Sequence, residues 1–300
     1  MDILRKWIRV SRFNFIPASL LPYAAGSVAA IRWGFFDVPI FLLGLFGTAL
    51  VHLAANLFNE YWDHRFRADP PNGAYRPHFG GSKAIQTGLI RAVSVHRAAW
   101  ICLSAALLTG LALALILEAP IIMLLVLGGT FIAWAYTAPP FSFAYRGMGE
   151  LALLIAFGPL LVTGGYLLQS APVTAAILLL AQVPGFLIAA VLIANEFADA
   201  ATDTRAGKRN LTVRLGFKRA ARIYRGCLVC SFLLPAAAVA AGFYPPVLLV
   251  VFFSLPASAA AERKLAAAVR SGGGFNASSA WIMRFYLLFH FLLIAALILS

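Results

Sequence analysis

Two short stretches of this chain concentrate the side chains that could do chemistry. In the first, Asn56, Asn59 and Asp63 stand at i, i+3 and i+7, and Asp69 lies six residues further on. That spacing puts Asn56, Asn59 and Asp63 on one face of a helix. In the second, Asn195, Asp199 and Asp203 stand at i, i+4 and i+8, again on one face. Six of the 11 acidic residues (Glu60, Asp63, Asp69, Glu196, Asp199 and Asp203) fall in these stretches. Oxygen ligands without clustered His or Cys suit a hard cation, and Mg²⁺ fits best. Mg²⁺ seldom occupies an all-protein cage; it normally binds a few carboxylates together with phosphate oxygens. The pattern therefore implies a phosphorylated substrate. Basic residues follow each acidic group: Arg65, Arg67, Arg76 and Lys83 after the first, and Arg205, Lys208 and Arg209 after the second. Cations beside a carboxylate–metal site suit a diphosphate. Lys83, in the Gly-rich run at 80–88, and Lys208 and Arg209, directly after the second acidic group, are the candidate phosphate contacts.

The elements that must position these residues are apolar. The chain has 300 residues, 62% hydrophobic and 12% charged, about half the charged fraction of an ordinary soluble domain. The apolar residues fall in blocks close to the roughly 20 residues that cross a bilayer as a helix. The blocks at 13–31, 38–58, 98–117, 120–137, 148–168, 173–194, 226–242, 244–261 and 282–299 predict nine transmembrane helices. Two long polar loops, 59–97 and 195–225, carry the acids. With the N-terminus in the cytoplasm, alternation puts all 24 Lys and Arg on the inner side except Arg32, as the positive-inside rule requires. Both acidic groups then lie on the cytoplasmic face, where they can meet across one cavity. The expected fold class is an all-α polytopic membrane protein, with residues 1–300 as a single domain.

Membrane topology also accounts for the net charge of +13, and no nucleic-acid motif accompanies it. The basic N-terminus and the apolar run after it resemble a signal peptide, but eight further spans favour a first transmembrane helix. Cys102, Cys227 and Cys230 read as helix-packing residues, because the CxxC at 227–230 has no second Cys/His pair for a zinc site.

These residues resemble the UbiA superfamily of intramembrane prenyltransferases. The family's first motif, roughly Asn-Asp-x-x-Asp with a further Asp, matches Asn59, Asp63 and Asp69. Its second matches Asn195, Asp199 and Asp203, followed by the Gly-Lys-Arg-Asn-Leu-Thr-Val-Arg-Leu-Gly run at 207–216. The similarity extends through Tyr-Thr-Ala-Pro-Pro at 136–140, Gly-Met-Gly-Glu at 147–150 and Phe-Gly-Pro at 157–159. Within the family the pattern is most similar to the 1,4-dihydroxy-2-naphthoate prenyltransferases of menaquinone synthesis. Glu60, Ala198 and Asn210 depart from it, where Asp, Arg and Thr are usual.

The resemblance implies nine helices around a central cavity open to the cytoplasmic side and to lipid. It implies that Asn59, Asp63, Asp69, Asn195, Asp199 and Asp203 hold Mg²⁺ against an isoprenoid diphosphate, with Lys83, Lys208 and Arg209 on the leaving group. Tyr136 is then a candidate to face an allylic cation, and Arg12 a candidate partner for an acceptor carboxylate. Asp63, Asp199 and Asp203 are the expected catalytic carboxylates, an aromatic acceptor is the second substrate, and a bacterial inner membrane is the expected location. The rival class is an ion-coupled carrier. Carriers place such residues near the bilayer midplane, whereas these acids sit at helix ends. His52 is expected to pack within its helix, His64, His78 and His96 to be solvated loop residues, and Glu150 to serve a helix N-terminus.

Overall fold

A computed structural model describes residues 3–68 and 81–300. Asp69, Arg76, His78 and Gly80 lie outside the described residues, so the expectations for them are not addressed by it. The described residues form helices joined by turns. A short basic helix, α1 (Ile3–Val10), precedes α2 (Pro17–Ala29), which opens on Pro17 at a position where a missing N–H costs nothing. The Asp37 side chain caps α3 (Val38–Arg65), accepting a hydrogen bond from the Ile40 N–H at 2.9 Å. Helices α4 (Ala92–Ile116) and α5 (Pro120–Ala135) follow, then a single turn, α6 (Phe143–Arg146). Helix α7 (Gly149–Ile155) runs through a π-turn at Ala156–Leu160 into α8 (Leu161–Leu168). Thr174 caps α9 (Ala175–Leu180), which leads into α10 (Gln182–Arg205). The last three are α11 (Leu211–Ala240), capped by Asn210, α12 (Leu255–Ser271) and α13 (Phe275–Ile298).

Eight segments among the described residues are long and apolar enough to cross a bilayer: α2 with its flanking turns, α3, α4, α7–α8, α9–α10, α11, α12 with the turns before it, and α13. The expected span at 120–137 appears as the shorter α5, whose 16 residues rise only about 24 Å, against a hydrocarbon core of about 30 Å. The two polar loops need correction. Residues 59–65 continue α3, 92–97 open α4, 195–205 continue α10, and 211–225 form the first half of α11. A helix satisfies its own backbone, so it runs out of the apolar layer unbroken while its polar face turns to partners. Asn59, Asp63, Asn195, Asp199 and Asp203 are therefore mounted on helix ends.

Packing relies on small residues and buried polar contacts. Helices α2 and α8 cross so closely that a Cβ on Gly26 would stand 2.0 Å from the Val162 carbonyl oxygen, and one on Gly165 2.4 Å from that of Tyr23. Van der Waals contact replaces hydrophobic drive between helices in lipid, which explains this use of glycine. The Ser27 hydroxyl donates to the Gly165 carbonyl at 3.1 Å across the same crossing. The buried Tyr286 of α13 donates to the Ala18 carbonyl of α2 at 2.6 Å. Helix α13 also packs against α10, so the helix bearing the second motif is held from behind.

Candidate functional site

The acid-bearing ends of α3 and α10 meet. Lys208 Nζ stands 3.5 Å from Asp63 Oδ1 and 3.5 Å from Asp203 Oδ1, bridging the two motifs. The local chain explains its position. Helix α10 ends at Arg205, a turn through Gly207 reverses direction, and the Lys208 N–H donates to the Asp203 carbonyl at 2.9 Å. The lysine is thus folded back over the helix end it has just left. Tyr145, on α6, donates its hydroxyl to Asp63 Oδ1 at 2.6 Å, and its ring centroid lies 5.0 Å from Lys208 Nζ. Asn210 Nδ2 donates to Asp203 Oδ2 at 2.8 Å, while Asn210 Oδ1 accepts from the Val213 N–H at 3.0 Å and caps α11.

These groups border a polar chamber of about 170 Å³, whose walls include Asn59, Asp63, Asn195, Asp199, Asp203 and Lys208. Beside it lies an apolar cavity of about 340 Å³. Arg12, Asn59, Tyr136, Leu192 and Asn195 belong to the walls of both. A ligand with an anionic head and an apolar body would fit across that junction.

The donor set suits a hard cation. Asn195 Oδ1 is buried without a hydrogen-bond partner, and an orphaned carbonyl oxygen of this kind is costly unless something charged or protic meets it. Among the described residues no three carboxylate, His or Cys side chains converge as a ready-made metal cage.

Several candidates fall elsewhere. Arg209 is exposed and absent from the chamber wall; its N–H donates to the Tyr145 carbonyl at 3.0 Å, pinning the return loop to α6. Lys83 is buried, with a left-handed backbone (φ 60°), and opens the turn at 83–88 outside the chamber wall. Only Lys208 of the three expected phosphate contacts lines the chamber. Asn56 lines the apolar cavity and donates to the Ser11 carbonyl at 3.0 Å. His96 is no solvated loop residue: it lies on α4 and stacks on Tyr61 with ring centroids 4.2 Å apart.

Glu60, which stands where the family pattern usually has Asp, ties the N-terminal segment to α3. It is 1% exposed. Its Oε1 accepts from Arg12 Nε (2.9 Å), Arg12 Nη2 (2.6 Å) and the Ser82 N–H (2.7 Å), and its Oε2 from the Ser82 hydroxyl (2.7 Å). Arg9 Nε adds a bond to the Ser82 carbonyl at 2.9 Å. One buried carboxylate thus ties the segment after α1 and the Gly-Ser loop to α3. Breaking a buried ion pair by removing one partner costs about 3 kcal/mol or more. Glu60→Ala is therefore expected to lower the thermal unfolding midpoint markedly and to expose α1 to limited proteolysis; unchanged unfolding and cleavage would refute the clamp.

Residues that spacing did not single out complete the site. Glu150 accepts from the Leu211 N–H at 2.7 Å, and Glu196 accepts from the Thr212 N–H at 3.3 Å and its hydroxyl at 3.2 Å. Two buried carboxyl groups thus accept hydrogen bonds from the first turn of α11, whose N–H groups have no partner within the helix. Glu150, expected at the start of its own helix, also serves a second one. Tyr145 and Asn210 lay in stretches noted for similarity, but nothing in their spacing predicted a bond to Asp63 or Asp203.

Fold and site together define a polytopic helical membrane protein with an acidic chamber beside an apolar cavity. A family model described as the UbiA prenyltransferase family matches residues 19–288. Among curated relatives, the 1,4-dihydroxy-2-naphthoate octaprenyltransferase of Escherichia coli is 32% identical over 76% of this chain and 74% of its own. The protein of that name from Mycobacterium tuberculosis is 33% identical over 78% of each chain. Among solved structures, a UbiA homolog from Archaeoglobus fulgidus bound to DMAPP and Mg²⁺ superposes with TM-score 0.67 at 21% identity, covering 97% of this chain and 99% of that one. The apo UbiA homolog from Aeropyrum pernix K1 reaches 0.69 at 15% identity, covering 95% and 98%. These structural likenesses establish the fold. The chain belongs to the UbiA prenyltransferase family, and it is an integral-membrane prenyltransferase.

Proposed function

We propose that this enzyme transfers a prenyl group from an isoprenoid diphosphate to 1,4-dihydroxy-2-naphthoate, a step of menaquinone synthesis. The observation that carries the reading is the junction itself: an acidic chamber holding Lys208 shares Asn59, Tyr136 and Asn195 as walls with an apolar cavity. The curated relatives named as naphthoate octaprenyltransferases support the acceptor. The A. fulgidus homolog, solved with DMAPP and Mg²⁺, supports the donor and the metal.

Asn59, Asp63, Asp69, Asn195, Asp199 and Asp203 would hold Mg²⁺. When bound, it supplies positive charge that lowers the cost of releasing diphosphate. Lys208, already placed between the two motifs, adds a cation on the same side. Lys83 and Arg209, expected on the diphosphate as well, are not walls of the chamber. The allylic C–O bond breaks and its electron pair leaves with the diphosphate. The resulting cation sits at the junction, where the Tyr136 ring offers a π-face and apolar walls exclude water. The acceptor carbon bearing the carboxylate attacks the cation, and that carboxylate departs as CO₂, returning its bonding pair to the ring. Arg12, a wall of both cavities and bonded to Glu60, would meet the acceptor carboxylate before it leaves. The topology that goes with this reading has nine spans, with the N-terminus and the acids on the cytoplasmic side of a bacterial inner membrane.

An acceptor panel tests the proposal. The purified protein in nanodiscs, given Mg²⁺ and geranylgeranyl or longer diphosphates, is expected to convert the naphthoate to a product that has gained the prenyl mass and lost CO₂. Hydroxybenzoate, homogentisate and chlorophyllide are expected to react far more slowly. Turnover of one of those three with the naphthoate inert would overturn the acceptor. Solute uptake in vesicles without diphosphate release would overturn the enzyme reading.

A further inference from the structure

The apolar cavity contains a polar group that an isoprenoid tail does not need. His52 lies on α3, 11 residues before Asp63, and so about 16 Å deeper along the helix. Its Nδ1 pairs with the Ser19 hydroxyl of α2. Its Nε2 is buried with no hydrogen-bond partner, and the residue lines the cavity. The expectation that His52 merely packs within its helix misses this. A buried imidazole nitrogen left without a partner is unfavourable. A ligand carrying a hydroxyl would satisfy it.

The opposing wall is also built for a ring. Phe157 lines the cavity and meets His52 edge-on, with ring centroids 6.5 Å apart at 74°. It sits in the π-turn at Ala156–Leu160, and such turns insert an extra residue into a helix, often at functional sites. The neighbouring Gly158 presses against α10, where an added Cβ would stand 2.8 Å from the Ala181 carbonyl oxygen and 3.1 Å from Gly185 backbone atoms. That contact leaves the π-turn little room to retreat from the cavity.

We infer that His52, Ser19 and Phe157 form the acceptor subsite: His52 Nε2 pairs with a ring hydroxyl of the aromatic acceptor, whose plane lies against Phe157. A hydroxyl both donates and accepts, so it serves either imidazole tautomer. Ser19 fixes the ring from behind. His52 is in this sense a positioning residue that selects for a hydroxylated ring, and the inference rests on the proposed aromatic acceptor.

The test compares wild type, His52→Phe and His52→Gln, each with the dihydroxy acceptor and with an analogue lacking one ring hydroxyl. His52→Phe is expected to raise the acceptor KM about tenfold or more, since a site built for a hydroxyl loses its selectivity when the pairing group is removed. The prenyl diphosphate KM should rise clearly less than the acceptor KM, because His52 lies about 16 Å along α3 from Asp63 and does not reach the diphosphate site. His52→Gln, which restores a polar atom at similar reach, should recover most of the loss. The wild-type preference for the dihydroxy acceptor should vanish in His52→Phe. An unchanged acceptor KM in a folded His52→Phe variant, or equal losses for donor and acceptor in both variants, would overturn the subsite while leaving the prenyl-transfer reading intact. A wild-type protein that prenylates no hydroxylated aromatic overturns the acceptor reading and the subsite with it.

Discussion

Asp63→Asn is expected to lower turnover by about three orders of magnitude, roughly 4 kcal/mol of transition-state stabilisation. The change keeps the shape of the side chain and removes its charge. Asp63 is 5% exposed and meets both Tyr145 and Lys208, so the lost charge would unbalance an ordered network as well as weaken metal binding. Asp199→Asn, in the facing motif, should have a comparable effect on rate. Asp199 lines the same chamber, so the two carboxylates are expected to act on one bound diphosphate. Initial rates with saturating donor measure the effect, and circular dichroism shows whether the helices persist. Turnover within a few-fold of wild type in either variant would remove the metal clamp from the proposal.

Chelation of divalent metal should abolish turnover completely, and Mg²⁺ should restore it. The same treatment should leave the helical content nearly unchanged. The reason is Lys208, whose ammonium stands 3.5 Å from both Asp63 and Asp203. Two buried carboxylates brought together without a cation would repel, and here a side chain supplies one. Rates and circular dichroism with and without chelator separate the two effects. Turnover that survives exhaustive chelation would contradict the magnesium requirement. Loss of helix on chelation would contradict the idea that Lys208 holds the motifs together.

The sequence exposes the helical membrane class because hydrophobic blocks report on lipid directly. It exposes the motif faces because Asn195, Asp199 and Asp203 repeat at helical spacing. It misplaces the ends of α3 and α10, since polarity alone cannot distinguish a loop from a helix that leaves the bilayer with its polar face occupied. Contacts between distant residues were also hidden. Glu60 reaches Arg12 across 48 positions, and Tyr145 reaches Asp63 across 82; no periodicity encodes such pairs. Arg209 and Lys208 are neighbours with the same charge, yet the return turn at Gly207 brings only one of them to the chamber. His52 illustrates the opposite difficulty. One histidine in an apolar run carries no pattern, and its significance comes from the cavity that α2, α3 and the π-turn enclose.

Asn59, Tyr136 and Asn195 are walls of both compartments, which limits how the enzyme could be re-engineered. A library built at those three positions would disturb head-group and body recognition in one stroke, so selecting for a new tail length there would carry an unavoidable toll on catalysis. Tail preference is better altered at walls that touch the hydrocarbon compartment alone, such as Val126, Leu160 and Leu161.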